Sequence, residues 1–125
     1  MNLPKPFDTF RIEKQAGEYK DFGLPTDSNY PLKGVTYPVT YGDIEGYIAE
    51  DGANLDLFVG SGAMNGYIVV SRPEMDEGEH KFYLSLTEDE EKAVLSEFEP
   101  VLTSHGRFET YEELIAAIEP FRNPK

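Results

Sequence analysis

The stretch Tyr37–Gly62, YPVTYGDIEGYIAEDGANLDLFVGSG, decides how the rest of this chain is read. Within it, Asp56 interrupts the apolar run Leu55-Asp56-Leu57-Phe58-Val59. A carboxylate on a half-buried strand is costly unless it is paired or ligates a cation. Asp51 lies five residues earlier with Gly52 between them, so the segment presents two acids around one turn. Glu50 to Asn54 reads as that turn, because Gly52 accepts a positive φ and Asn54 tolerates one.

Working outward, Val35 to Tyr41 reads as a strand bent at Pro38, and Ile44 to Ala49 as a second extended piece. Gly60, Ser61, Gly62 and Gly66 have a superficially nucleotide-binding spacing. Such a loop must open a helix, however, and Tyr67-Ile68-Val69-Val70-Ser71 is β-branched, so the segment reads as a hairpin joining two strands. After an acidic turn from Arg72 to Glu79, residues 81–86 alternate. Phe82, Leu84 and Leu86 fall on one face; Lys81, Tyr83 and Ser85 fall on the other, in phase with Glu79, which makes that face polar.

Two capping boxes then start helices: Thr87 with Glu90, running to about Phe98, and Thr110 with Glu113, running to Pro120. Residues 1–34 carry Pro4, Pro6, Gly17, Gly23, Pro25, Pro31 and Gly34 and read as an irregular lead-in, with Phe10 to Lys14 as a possible edge strand. The expected fold is α+β: one domain over 1–125, with a β-rich body at 35–86, a helical part at 87–125, and a small antiparallel barrel carrying two C-terminal helices.

Composition narrows the function. At 125 residues, with 39% hydrophobic residues, 8 Phe and 8 Tyr, the chain suits a globular domain, and it holds no apolar run near the roughly 20 residues of a membrane span. The absence of Cys removes disulfides, thiolate nucleophiles and Cys-type zinc sites. A net charge of −13 argues against nucleic acid and anionic membranes as partners, and in favour of cations or basic proteins. The N-terminal residues lack a signal-peptide layout, which leads to a cytoplasmic expectation.

Two acidic turns, 43–56 and 74–79, could converge. All-oxygen ligands there would favour Mg²⁺, Mn²⁺ or Ca²⁺ over zinc. An EF-hand does not account for them, since counting from Asp51 puts Ala53, Leu55 and Gly62 at ligand positions.

The order Tyr37-Pro-x-x-Tyr41-Gly, an Asp51-Gly52 turn ten residues after Tyr41, and then Leu55-Asp56-x-x-Val59 resembles the soluble family I inorganic pyrophosphatases. Glu74, Glu79 and Lys81 keep that family's acid-x4-acid-x-Lys spacing. The resemblance covers 37–86 and implies a five-stranded OB-like barrel with helices packed on it, which hydrolyses pyrophosphate with Mg²⁺ or Mn²⁺. It implies metal ligation by Asp51, Asp56, Glu74 and Glu79 and phosphate binding by Lys81, Tyr37 and Tyr41. It also sets Ala53 where the family carries its general-base aspartate, and it finds no upstream Arg, Lys or Glu, with only Lys33 nearby. The alternative is a non-catalytic descendant whose acidic surface binds a basic protein, as an inhibitor or immunity-type protein does.

Overall fold

The computed structural model describes residues 2–73 and 75–124, with the backbone alone at 75 and 76. The elements are β1 (Phe10–Lys14), β2 (Tyr19–Asp21), β3 (Gly34–Thr36), β4 (Thr40–Ile48), β5 (Asn54–Val59), β6 (Met64–Arg72), β7 (Met75–Leu86), α1 (Glu88–Phe98), β8 (Leu102–Phe108) and α2 (Tyr111–Ile118). The class is α+β. Six strands form one mixed sheet in the order β1-β4-β5-β7-β6-β8, and β2 pairs with β3 apart from it.

The edge strand read at Phe10–Lys14 forms as β1, against β4, while other expectations change. The rest of the lead-in is not irregular throughout, since β2 folds onto β3. The anticipated hairpin across Gly60–Gly66 does not form, because β7 lies between β5 and β6, parallel to the first and antiparallel to the second. This places Lys81 directly beside Asp56, whereas β6 in that position would offer Asp56 apolar neighbours. The helical part is interrupted by β8, an edge strand on β6. Its sequence, LTSHGRF, carries little apolar alternation because most of it is exposed. Finally, the sheet is mixed rather than antiparallel, and among the described residues no ladder joins β1 to β8 to close a barrel.

Both faces of the sheet are buried. The faces are sorted by the strand period of two. Tyr41, Phe58, Ile68 and Tyr83 lie under Val94 and Phe98 of α1. Ile44, Leu55, Leu57, Phe82 and Leu84 lie under Leu114 and Ile118 of α2. Each fully buried Leu, Ile or Phe contributes about 1.5–3 kcal/mol of transfer free energy, so both helices are held by their apolar stripes rather than by propensity. The face expected to be polar is therefore buried: Glu79 is 0%, Lys81 6% and Tyr83 2% exposed. Leu86 also leaves the face of Phe82 and Leu84 and joins that of Tyr83, because Ser85 adopts φ 62° and breaks the alternation.

Both capping boxes form as read. Thr87 accepts from Glu90 N and Thr110 from Glu113 N, each at 3.1 Å. Gly42 is glycine because a Cβ there would run into the Arg11 carbonyl of β1.

One polar pin ties α1 to the sheet. Glu91, 5% exposed, accepts from the Tyr83 hydroxyl at 2.5 Å and from Arg107 at 2.6 and 2.8 Å. Arg107, assisted by Tyr83 and opposed by burial, holds the Glu91 carboxyl below its ordinary 4.5, and burial followed by Glu91 pushes the Tyr83 phenol up. A lowered carboxyl pKa stabilises the fold above the unfolded-state value, and that contribution is lost as pH falls through the folded value. Urea unfolding should therefore show wild type weakening below pH 4.5. Glu91→Gln should flatten that dependence. At neutral pH, Glu91→Ala should cost about 1–3 kcal/mol, since it strips the buried Tyr83 hydroxyl of its main partner.

Candidate functional site

The register across the sheet sets Arg11 of β1, Asp43 of β4, Asp56 of β5 and Lys81 of β7 side by side. Arg11 pairs with Asp43 at 3.1 Å, and Lys81 pairs with Asp56 at 2.7 Å. The Asp56–Lys81 end of this row lines a cavity of about 350 Å³ on the α1 side of the sheet. Tyr37, Tyr41, Asp51, Asp56, Glu79 and Lys81 all line it, together with Ala53.

Lys81 is the centre. Its Nζ donates to Asp56 Oδ2 at 2.7 Å and to the Tyr41 hydroxyl at 2.9 Å, and lies 3.1 Å from Glu79 Oε2. Burial alone would lower its pKa, but Tyr41, Asp56 and Glu79 outweigh burial and raise it well above 10.5. Arg72 forms a second bridge, 3.3 Å from both Glu79 oxygens and 3.7 Å from Asp51.

The Asp51 and Glu79 carboxyl groups also share a hydrogen bond. Glu79 is raised by burial and then by Asp51. Asp51 is opposed by burial, yet the Glu79 bond, the Ala53 N–H at 3.0 Å and Arg72 bring it below 3.8. The shifts of the two acids thus run in opposite directions. Gly52 supplies the turn that aims Asp51, at φ 84°.

Tyr37 and Tyr41 stack with centroids 4.3 Å apart, on the cavity wall. Burial pushes the Tyr37 phenol up to about 12 and Tyr41 well above its usual 10.0. His80 points to the opposite face, as alternation requires, and its Nδ1 lies 2.6 Å from Glu50 Oε2 among aromatic rings.

Of the expected site residues, Glu74 lies outside the described residues. The remaining six meet in one place. Among the described residues, no group of three or more His, Asp or Glu is arranged to hold a metal ion.

Two cavity side chains escaped the sequence reading: Glu13 and Lys20 line the cavity. Of the cations the sequence sets near a substrate, Lys81 and Arg72 line it and the exposed Lys33 does not. Glu13 is raised by burial, then by Asp43 and Asp56. The signal for Glu13 and Lys20 was slight: one acid in the possible edge strand FRIEK, and one lysine in a Gly- and Pro-rich stretch. No protein-family model, curated protein or solved structure matches this chain.

Lys81→Met should leave Asp56 and Glu79 facing each other without their cation, and should lower stability by about 3–5 kcal/mol in urea unfolding at pH 7. The raised Lys81 and Tyr37 groups stabilise the fold below their unfolded-state values, and the contribution is lost as pH rises through the folded ones. Wild type should thus weaken between pH 10 and about pH 12, the window set by Tyr37 and begun just below the Lys81 range.

Proposed function

We propose that this cavity binds a phosphoanhydride as its Mg²⁺ or Mn²⁺ complex and hydrolyses it, with inorganic pyrophosphate the simplest substrate. The observation that carries the reading is the convergence of Tyr37, Tyr41, Asp51, Asp56, Glu79 and Lys81 on one cavity from separate strands and turns. The resemblance of 37–86 to family I pyrophosphatases assigns the same residues to phosphate and metal. Lys20 and Arg72 add two cations to the wall, and Glu13 adds an acid, supplying residue types the upstream sequence lacked in the family's own positions. On this reading the open six-stranded sheet is a relative of the family's barrel.

The donor set fits a cation that arrives with its substrate. Mg²⁺ typically takes one or two carboxylates plus phosphate oxygens, and Asp51 and Glu79 bring two carboxyl groups to the cavity wall beside Arg72. When bound, the ion supplies Lewis-acid polarisation of the phosphoryl oxygens. Lys81, Arg72 and Lys20 neutralise phosphate charge, and Tyr37 and Tyr41 offer hydroxyls to its oxygens. Asp56 holds the Lys81 ammonium in place. With a methyl group at Ala53, the proton of the attacking water passes to another cavity carboxyl, and Glu13 on the cavity wall is assigned that part.

A second reading rests on a specific observation: Lys81 and Arg72 already pair with Asp56, Glu79 and Asp51. A protein in that state, lacking the family's base, serves as a non-catalytic acidic scaffold for a basic partner.

Phosphate release from pyrophosphate with Mg²⁺ or Mn²⁺ separates the two. The enzyme reading expects turnover that chelation abolishes and Asp56→Ala removes. It expects Ala53→Asp to raise the rate by roughly 10²-fold or more, the usual range of a positioned base. Calorimetry should give little heat with Mg²⁺ alone and clear heat with Mg²⁺ plus imidodiphosphate. No turnover above buffer, with Asp56→Ala indistinguishable from wild type, rejects the enzyme.

A further inference from the structure

The cavity lining is mixed in chemistry. Lys20, Arg72, Lys81 and the carboxyl groups share it with Phe22, Leu24 and Tyr30. These last three belong to the connection between β2 and β3, which is closed at its neck by Phe22 N donating to Lys33 O at 3.0 Å. Within it, Gly23 N donates to Asp21 Oδ1 at 2.8 Å and Ser28 N to Pro25 O at 3.0 Å. The wall is thus ordered by its own hydrogen bonds rather than by a ligand.

Tyr30 joins the apolar residues to the charged ones. Its hydroxyl donates to the Ser71 carbonyl at 2.5 Å, next to Arg72 in the chain, so the polar end is committed and the ring is left as wall. Phe22 packs against it with centroids 6.4 Å apart. Inorganic pyrophosphate has no surface that gains from such a wall, and apolar side chains beside a polyanion only desolvate it. A cavity of about 350 Å³ also falls in the roughly 300–1,000 Å³ range of sites for small organic molecules.

We propose that the ligand of this cavity is an organic diphosphate of the nucleoside diphosphate class, with its diphosphate among Lys20, Arg72 and Lys81 and its flat ring on Phe22, Leu24 and Tyr30. This rests on the phosphoanhydride reading above and narrows it. Flat aromatic rings gain from stacking on such side chains irrespective of base identity, so the wall selects a class rather than one base.

Calorimetric titration in Mg²⁺ with ADP, imidodiphosphate, adenosine and geranyl diphosphate tests it. ADP should bind about tenfold tighter than imidodiphosphate, the order expected of one stacked base, and adenosine more weakly than ADP. Phe22→Ala should remove the ADP advantage while leaving imidodiphosphate within about twofold. Phe22→Leu, which keeps apolar bulk, should remove most of it with an unchanged melting temperature. Imidodiphosphate binding as tightly as ADP, an ADP advantage that survives both Phe22 variants, or geranyl diphosphate binding tighter than ADP overturns the nucleotide assignment and leaves the phosphoanhydride reading standing. Binding by neither ADP nor imidodiphosphate overturns both.

Discussion

The structure depends on one buried ammonium. Lys81 is 6% exposed and lies within 3.1 Å of Asp56, Glu79 and the Tyr41 hydroxyl, so a single cation joins β4, β5 and β7 at the wall of the cavity. A buried charge of this kind is tolerated only when its donors are satisfied, and three acceptors around three N–H bonds meet that condition. The strand order meets the need of Asp56 for a cation, since β7 sets Lys81 directly beside it.

The cavity carboxyl groups are paired with Lys81 and Arg72, which keeps self-repulsion from opening the cavity in a chain of net charge −13. The Tyr83–Glu91–Arg107 pin does a separate task on the same side of the sheet, docking α1 over the face that carries the cavity.

How legible the molecule was depends on how local each signal is. Thr87 with Glu90 and Thr110 with Glu113 marked both helix starts, because a capping box is complete within four residues. Gly52 marked the turn that aims Asp51 for the same reason. Lys81, Asp56 and Tyr41 were found through spacing. Glu13 and Lys20 were missed because their place on the cavity wall comes from where β1 and β2 are laid down. β8 was missed because an exposed edge strand need not alternate.

From the sequence alone came the α+β class, the helix boundaries, the acidic turn, and the set of residues that spacing grouped into one candidate site. These rest on periodicity and on contacts only a few residues apart along the chain. Only the tertiary structure decided that β7 inserts between β5 and β6, that the supposedly polar face is buried, that the sheet stays open among the described residues, and that Lys81 and Arg72 partner the acids. The physical reason is that pairing between distant strands is chosen by the summed burial and charge satisfaction of the whole sheet, which no single segment encodes.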